Sequence, residues 1–339
     1  MKKRISALLL VALFLAGCTF PGKSAQQRYT ATFLDVFDTV TTVVGFAESE
    51  EAFSQAAQAI HDQLLHYHQL FDIYNRYEGI VNLKSVNDAA GGEAITVDAD
   101  VIQLLKSCKA YYTLTGGKVN AAMGSVLKLW HDARSDAYDD PQNAYLPDQA
   151  ALEEAAKHTD FDQVILDEEN ATVRILDPQL QLDVGAIAKG WATQRVAETA
   201  PKGMLISVGG NVCATGPKAG GEPWVVGIQN PDGGDYLHTV YAESGCVVTS
   251  GDYQRTYPVD GKFYHHIIDP ATLYPSDYFR SVTVVCGDSG LADALSTALF
   301  LMPLEEGMAL AQKCGAEAMW LLPDGTKAYT PGFENLIRT

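Results

Sequence analysis

Apolar residues change their period several times along this chain. From Thr32 to Phe46 the sequence alternates loosely and is rich in Val, Thr and Phe, a strand-forming pattern. Phe53, Ala56, Ala57, Ile60, Leu64, Tyr67 and Phe71 then recur at intervals of three and four, which predicts a long helix starting near Ser49 or Glu50. Val101, Leu104, Leu105, Cys108 and Tyr111 mark a second helix, with Asp98 or Asp100 as cap and Gly116-Gly117 closing it. A shorter one should begin after Pro147-Asp148. The stretch Asp132–Asp148, rich in Asp, Pro and Asn, reads as an internal loop.

Beyond Phe161 the texture becomes strand-like. Val164-Ile165-Leu166 and Val173-Arg174-Ile175 flank Glu168-Glu169-Asn170, a hairpin signal. Further runs follow at Met204–Val208, Trp224–Gln229, Thr239–Thr249, Phe263–Ile268 and Ser281–Cys286, and two helices close the pattern at Leu291–Leu301 and Leu304–Lys313. Consecutive strands with helices grouped apart predict an α+β fold of mostly antiparallel sheet with helices packed on it.

The first residues carry an address rather than a fold. Lys2, Lys3 and Arg4 precede an apolar stretch from Ile5 to Ala16 that is too short to span a bilayer, and Leu15-Ala16-Gly17-Cys18 places small residues before a cysteine. This reads as a lipoprotein signal over residues 1–17, with lipidation of Cys18, a flexible tether over 18–30 and a globular region over 31–335. That region is one large domain or two closely associated lobes. The expected location is extracytoplasmic, lipid-anchored to the membrane. A net charge of −18, from 42 acidic against 24 basic residues, argues against nucleic acid as a partner. An anionic ligand must instead be held by a metal, by backbone N–H groups or by a few local cations. The cysteines after Cys18 lack paired spacing and sit mostly in apolar runs, where they read as small hydrophobes.

Several segments carry candidate chemistry. Asp293 and Thr297 are four apart in an apolar helical pattern, so a carboxylate and a hydroxyl share one face; that oxygen pair suits Mg²⁺, although a solvated polar edge is the commoner outcome of such spacing. Leu182–Gly190 reads either as a glycine-bearing turn packed against a helix, the commoner outcome, or as a strand running into a helix N-terminus, where free N–H groups attract an anion; in the second case Asp183 and Lys189 would face the ligand and the carbonyl near Ala186 a metal. Ser207-Val208-Gly209-Gly210-Asn211 and Thr249-Ser250-Gly251-Asp252-Tyr253 are hairpin turns or close-approach backbone. In His265-His266-Ile267-Ile268-Asp269-Pro270, alternation lets only one imidazole face a given cleft, as a proton-transfer group or as a core histidine. Phe71-Asp72-Ile73-Tyr74-Asn75 ends the first long helix with aromatics fit for a core or for stacking on a flat ring.

Taken in order, these segments together with Thr115-Gly116-Gly117, Leu129-Trp130 and Ser250–Arg255 resemble the ApbE family of FAD:protein FMN transferases, over roughly residues 31–330. The resemblance implies a tunnelling-fold-like architecture, Mg²⁺ as cofactor and FAD as substrate. It also implies transfer of FMN to a Ser or Thr hydroxyl of an acceptor flavoprotein with release of AMP. On it, Asp293, Thr297 and the carbonyl of Ala186 become metal ligands. Phe37 (taken as the end of the first strand), Tyr74, Lys118, Val119, Asn120, Asp183, Lys189 and Ile268 become FAD contacts, and His266 the histidine needed for transfer. An FAD diphosphatase and a non-catalytic flavin-binding lipoprotein are the alternatives. Two departures stand out: Lys118-Val119-Asn120-Ala121-Ala122 follows Gly117 where the family often has Ala-Phe-Asp-Pro-Thr, and Leu273 stands where the family turn has Gly.

Overall fold

The computed structural model describes residues 26–338; the segment read as a lipoprotein signal and Cys18 lie outside them. The chain opens with a hairpin, β1 (Gln27–Val36) and β2 (Thr39–Ala47), then α1 (Glu50–Phe71), α2 (Leu83–Asp88), β3 (Ile95–Thr96), α3 (Ala99–Leu114), α4 (Gly124–Asp139) and α5 (Gln149–Ala155). It continues through β4 (Val164–Asp167), β5 (Thr172–Ile175), α6 (Ala188–Thr199), β6 (Leu205–Val208), β7 (Asn211–Ala214), β8 (Trp224–Ile228), β9 (His238–Ala242) and β10 (Gly245–Gly251). It ends with β11 (Tyr257–Val259), β12 (Lys262–Tyr264), β13 (Ser281–Cys286), α7 (Ser289–Phe300), α8 (Leu304–Lys313), β14 (Glu317–Leu321) and β15 (Lys327–Tyr329).

Eight strands form one sheet in the order β1-β2-β6-β7-β10-β13-β14-β15, and every neighbouring pair is antiparallel. Strands from both ends of the described chain therefore share one sheet. Its two faces feed different cores, as the pleat requires. Val43, Cys246, Val248, Ala318 and Trp320 join the main core with Leu64 of α1, Trp191 of α6 and Leu295 of α7. Their neighbours Val44, Val247 and Met319 pack instead with Trp224, Ile228 and Val240 of the separate β8–β9 ribbon. A third cluster forms around Trp130 and Val126 of α4 with Tyr257 and Ile268. The fold is the α+β, antiparallel arrangement expected.

Individual elements follow their local chemistry. The Ser49 hydroxyl caps α1 by accepting the Ala52 N–H, Glu50 and Glu51 favour its positive end, and the buried stripe includes Phe53, Ala57, Ile60, Leu64, Tyr67 and Phe71. Asp98 caps α3 and Asp148 caps α5.

Other expectations need correction. The first strand begins at Gln27, inside the segment read as tether, and Phe37 lies in the turn after β1, where it and Asp38 take φ of 54° and 49°. Such a two-residue left-handed turn matches strand twist. Asp132 to Asp139 belong to α4, whose inner face is made of Val126, Trp130, Ala133 and Ala137. Thr239–Thr249 is not one strand: it breaks at Glu243-Ser244 and its halves enter different sheets. The strand expected through Ile268 stops at Tyr264, because the His265 ring accepts the Ile267 N–H. No strand precedes Gly185. The Asn87 side chain pairs with the Leu182 N–H and C=O at 2.7 and 2.9 Å and takes the place of a neighbouring strand.

Candidate functional site

The site grows from the crossing of α6 and α7. A methyl group on Gly190 would lie 2.4 Å from both Asp293 Cβ and the Ser289 carbonyl oxygen, so only glycine permits this approach. The first amides of a helix have no partner within it. Here the Gly190 N–H donates to Asp293 Oδ2 at 2.8 Å, and the neighbouring helix caps α6. Asn211 Nδ2, in the β6–β7 hairpin, and Lys189 Nζ approach the same oxygen at 3.4 and 3.8 Å. The residue is only 5% exposed, and burial raises its carboxyl above the usual range, with Lys189 opposing. Ser250 Oγ meets Ser296 Oγ at 2.8 Å, and Ser296 bonds the Asp293 carbonyl, bracing the α7 turn from β10.

Three oxygens are left over at this crossing. Asp293 Oδ1, Thr297 Oγ1 and the Ala186 carbonyl oxygen have no hydrogen-bond partner among the described residues, and their residues line one cavity of about 350 Å³. A carboxylate, a hydroxyl and a carbonyl form a hard oxygen set that matches what Mg²⁺ takes from a protein.

The cavity gathers every site residue anticipated within the described chain: Phe37, Tyr74, Lys118, Val119, Asn120, Asp183, Ala186, Lys189, His266, Ile268, Asp293 and Thr297. Their side chains differ in freedom. Lys118 is ion-paired with the buried Asp269 at 3.0 Å. Asn120 donates to the Thr159 carbonyl at 2.8 Å and accepts the Ala122 N–H at 2.9 Å. A carboxylate could accept but not donate, which accounts for an amide at this position. Asp183 Oδ1 accepts the Gly185 N–H at 2.8 Å, and burial raises its carboxyl.

An aromatic wall closes another side. Tyr74 stacks on His131 at 4.8 Å between centroids, and its hydroxyl lies 3.3 Å from His131 Nδ1. The hairpin tip is fastened by the Phe37 N–H, which donates to His68 Nδ1 at 3.2 Å. His68 Nε2 lies 3.2 Å from the Tyr77 hydroxyl, which in turn donates to Asp72 Oδ2 at 2.7 Å. His68, His131, Arg134 and Trp130 also line the cavity, and the first three carried no motif of their own. His131 and Arg134 sit on α4, which the sequence pattern hid.

The two histidines divide as alternation suggested, although the backbone there is not a strand. His265 is buried with Nε2 2.7 Å from the Ser276 carbonyl. His266 faces the cavity with Nδ1 3.2 Å from the Gln254 carbonyl. A carbonyl only accepts, so the ring proton sits on Nδ1 and Nε2 carries the lone pair. Burial, then Arg255, His265, Arg134 and Lys189, push this imidazole down to about 3, so the ring is neutral near pH 7. Below it the Asp269–Tyr274 turn is closed by the Leu273 N–H on the Asp269 carbonyl at 2.8 Å and by Trp130 Nε1 on the Leu273 carbonyl at 2.9 Å. Leu273 keeps the left-handed conformation, φ 64°, that a glycine would adopt without strain.

The family model described as the ApbE family matches residues 35–320. A protein of Treponema pallidum (strain Nichols) named FAD:protein FMN transferase is 32% identical over 99% of this chain and 95% of its own length. One of the same name from Klebsiella pneumoniae (strain 342) is 33% identical over 77% of this chain and 83% of its own. Among solved structures, an ApbE protein from Thermotoga maritima is similar with a TM-score of 0.83 and 31% identity, covering 92% of this chain and all of that one. The flavin transferase ApbE from Vibrio cholerae shares the fold at a TM-score of 0.75 and 21% identity, covering 92% and 99%.

Proposed function

This chain belongs to the ApbE family and is a transferase of the FAD:protein FMN type, and we propose that it moves FMN from FAD to a Ser or Thr hydroxyl of an acceptor flavoprotein in a Mg²⁺-dependent reaction that releases AMP. The observation that carries this reading is the meeting, in one cavity, of three unpartnered oxygens with a neutral imidazole whose Nε2 is free. Asp293 Oδ1, Thr297 Oγ1 and the Ala186 carbonyl would hold the ion. When bound, Mg²⁺ supplies neutralisation of the diphosphate charge.

The chain's own residues supply positioning and proton transfer. Tyr74, Phe37 and Ile268 offer apolar surface to the flavin nucleotide, and Lys189 adds a cation beside the diphosphate. A new P–O bond forms between the acceptor hydroxyl and the FMN phosphorus while the bridging P–O bond to AMP breaks, and AMP leaves with the bonding electron pair. The hydroxyl proton passes to His266 Nε2. An anionic substrate beside this ring opposes the depression caused by Arg255 and Arg134, bringing it toward a useful basicity.

We place the enzyme outside the cytoplasm, tethered through a lipid on Cys18. Among the described residues no helix is long and apolar enough to cross a membrane. The test incubates the full chain, in detergent, with FAD, Mg²⁺ and an acceptor flavoprotein domain, following intact mass and AMP together. Acceptor mass should rise by one FMN, and His266→Gln should slow this about 10²–10⁴-fold while FAD still binds. AMP and FMN formed without a mass gain would instead mark a diphosphatase, and FAD bound but unchanged a carrier.

A further inference from the structure

Among the described residues, two cations in the cavity have no ion-pair partner, although the carboxyl of Asp183 feels both charges. Arg134 projects from α4 and Arg255 from the loop after β10, and both line the same space as His266. Among the described residues neither guanidinium has a carboxylate within ion-pairing distance, whereas nearby Arg280 is paired with both Asp232 and Asp252. Arg134 makes a single hydrogen bond, Nη2 to His131 Nδ1 at 3.2 Å, and Arg255 makes none. The two line one cavity and repel: burial first, and then the charge of Arg255, weakens the hold of Arg134 on its proton. In a chain with 42 acidic and only 24 basic residues, two adjacent unpaired arginines are a costly arrangement that a bound anion would relieve.

The backbone points the same way. Arg255 has a φ of 48°, a left-handed conformation that costs a non-glycine residue about 1–2 kcal/mol. Strain of this kind persists where the surroundings impose it, and it gathers at ligand-binding positions. The residue before it supplies the carbonyl that orients His266. One loop therefore sets both the proton acceptor and one of the two unpaired arginines.

We propose that Arg134 and Arg255 form a phosphate clamp for the FMN-side phosphate of the donor, the group under attack. This assignment rests on the transferase reading above. His266 takes the proton of the incoming hydroxyl, so cations beside it face the phosphorus being attacked and its non-bridging oxygens. In an in-line displacement the AMP oxygen departs on the opposite side. Guanidinium groups suit this role because their planar donors match phosphate oxygens in pairs.

Binding of FMN, riboflavin and AMP to the full chain separates the possibilities. Measured by flavin fluorescence and calorimetry, Arg134→Gln and Arg255→Gln should each weaken FMN about tenfold or more, as expected for loss of a charge-assisted hydrogen bond. Riboflavin and AMP, which lack the FMN phosphate, should stay within about twofold, and Arg255→Lys should recover part of the loss by keeping the charge. Unchanged FMN affinity overturns the clamp. So does loss of AMP affinity in place of FMN, which would move the arginines to the leaving half. Equal loss of riboflavin and FMN also overturns it, because a damaged flavin wall needs no phosphate contact. If the wild-type chain binds neither FMN nor AMP, the transferase reading falls as well. Tight wild-type FMN binding with unaltered variants removes the clamp alone.

Discussion

Gly190→Ala turns the α6–α7 crossing into a measurable quantity. In an ordinary helix interior this exchange stabilises by about 1 kcal/mol, because alanine loses less backbone freedom on folding. Here the added carbon would sit 2.4 Å from Asp293 Cβ and from the Ser289 carbonyl oxygen, and 3.0 Å from Asp293 Oδ2. Carbon atoms rest at roughly 3.5–4.0 Å, so the helices must separate by about 1 Å or more, and overpacking of this size costs about 1–3 kcal/mol. The expected result is a reversal of sign, to a net loss of up to about 2 kcal/mol. For a chain of this length that corresponds to a melting temperature lower by up to roughly 3 °C. The same shift lengthens the 2.8 Å Gly190–Asp293 hydrogen bond and pulls Asp293 Oδ1 away from Thr297 Oγ1 and the Ala186 carbonyl. Melting by circular dichroism with and without Mg²⁺ reads both effects: the metal-free variant should melt lower, and the rise produced by Mg²⁺ in the wild type should largely vanish. A variant that melts at or above the wild type and keeps its full response to Mg²⁺ would refute the reasoning.

Further outcomes follow from the buried charges and the strained turn. Burial raises the Asp293 carboxyl, so the folded state binds its proton more tightly and stability falls as pH climbs through the unfolded and then the folded value. At pH 7 Asp293→Asn should therefore leave the metal-free melting temperature unchanged or higher while abolishing any rise with Mg²⁺; a lower metal-free value would contradict this. His266 is held near 3 in the free protein, which places the acid limb of kcat/KM well below the ordinary histidine range, and Arg255→Gln should move that limb upward. A limb that stays in place in the variant would belong to Asp183 or Asp293 instead. Leu273→Gly removes a left-handed strain of about 1–2 kcal/mol and adds back roughly 0.5–1 kcal/mol of unfolded-chain entropy, for a gain of up to about 1.5 kcal/mol in denaturant unfolding. A clear loss of stability would show that leucine packing against the Trp130 cluster outweighs the strain.

What could be read from the sequence was whatever depends on neighbours in the chain. The stripe of α1 and its start at Ser49, the cap of α3 at Asp98 (one of two candidates, with Asp100) and the start of α5 after Asp148 are local, and they appear where the pattern put them. The site residues were found through ordered motifs, because a cavity built from hairpin tips, helix ends and turns has no periodicity. What escaped was set by contacts distant in sequence. Leu182 looked like strand because its hydrophobic lead is genuine, yet its backbone partner is the side chain of Asn87. The acidic outer face of α4 masked a core stripe that uses the small residues Ala133 and Ala137, and with that helix went His131 and Arg134. The split of Thr239–Thr249 follows from two sheets competing for one run of strand-forming residues.

The bond between the hairpin tip and His68 has a direction, and the direction sets a condition. A backbone N–H can only give its hydrogen, so Nδ1 of His68 must offer a lone pair to Phe37, and the ring hydrogen must sit on Nε2, toward the Tyr77 oxygen. Tyr77 in turn passes its own hydrogen to Asp72, at the end of α1. The order Asp72, Tyr77, His68, Phe37 thus forms a polarised relay with one permitted orientation throughout. The other tautomer finds no place in it: a hydrogen on Nδ1 would turn a donor toward a donor and unfasten the Phe37 side of the cavity. This wall of the binding cleft is a latch held by a single tautomer of one ring.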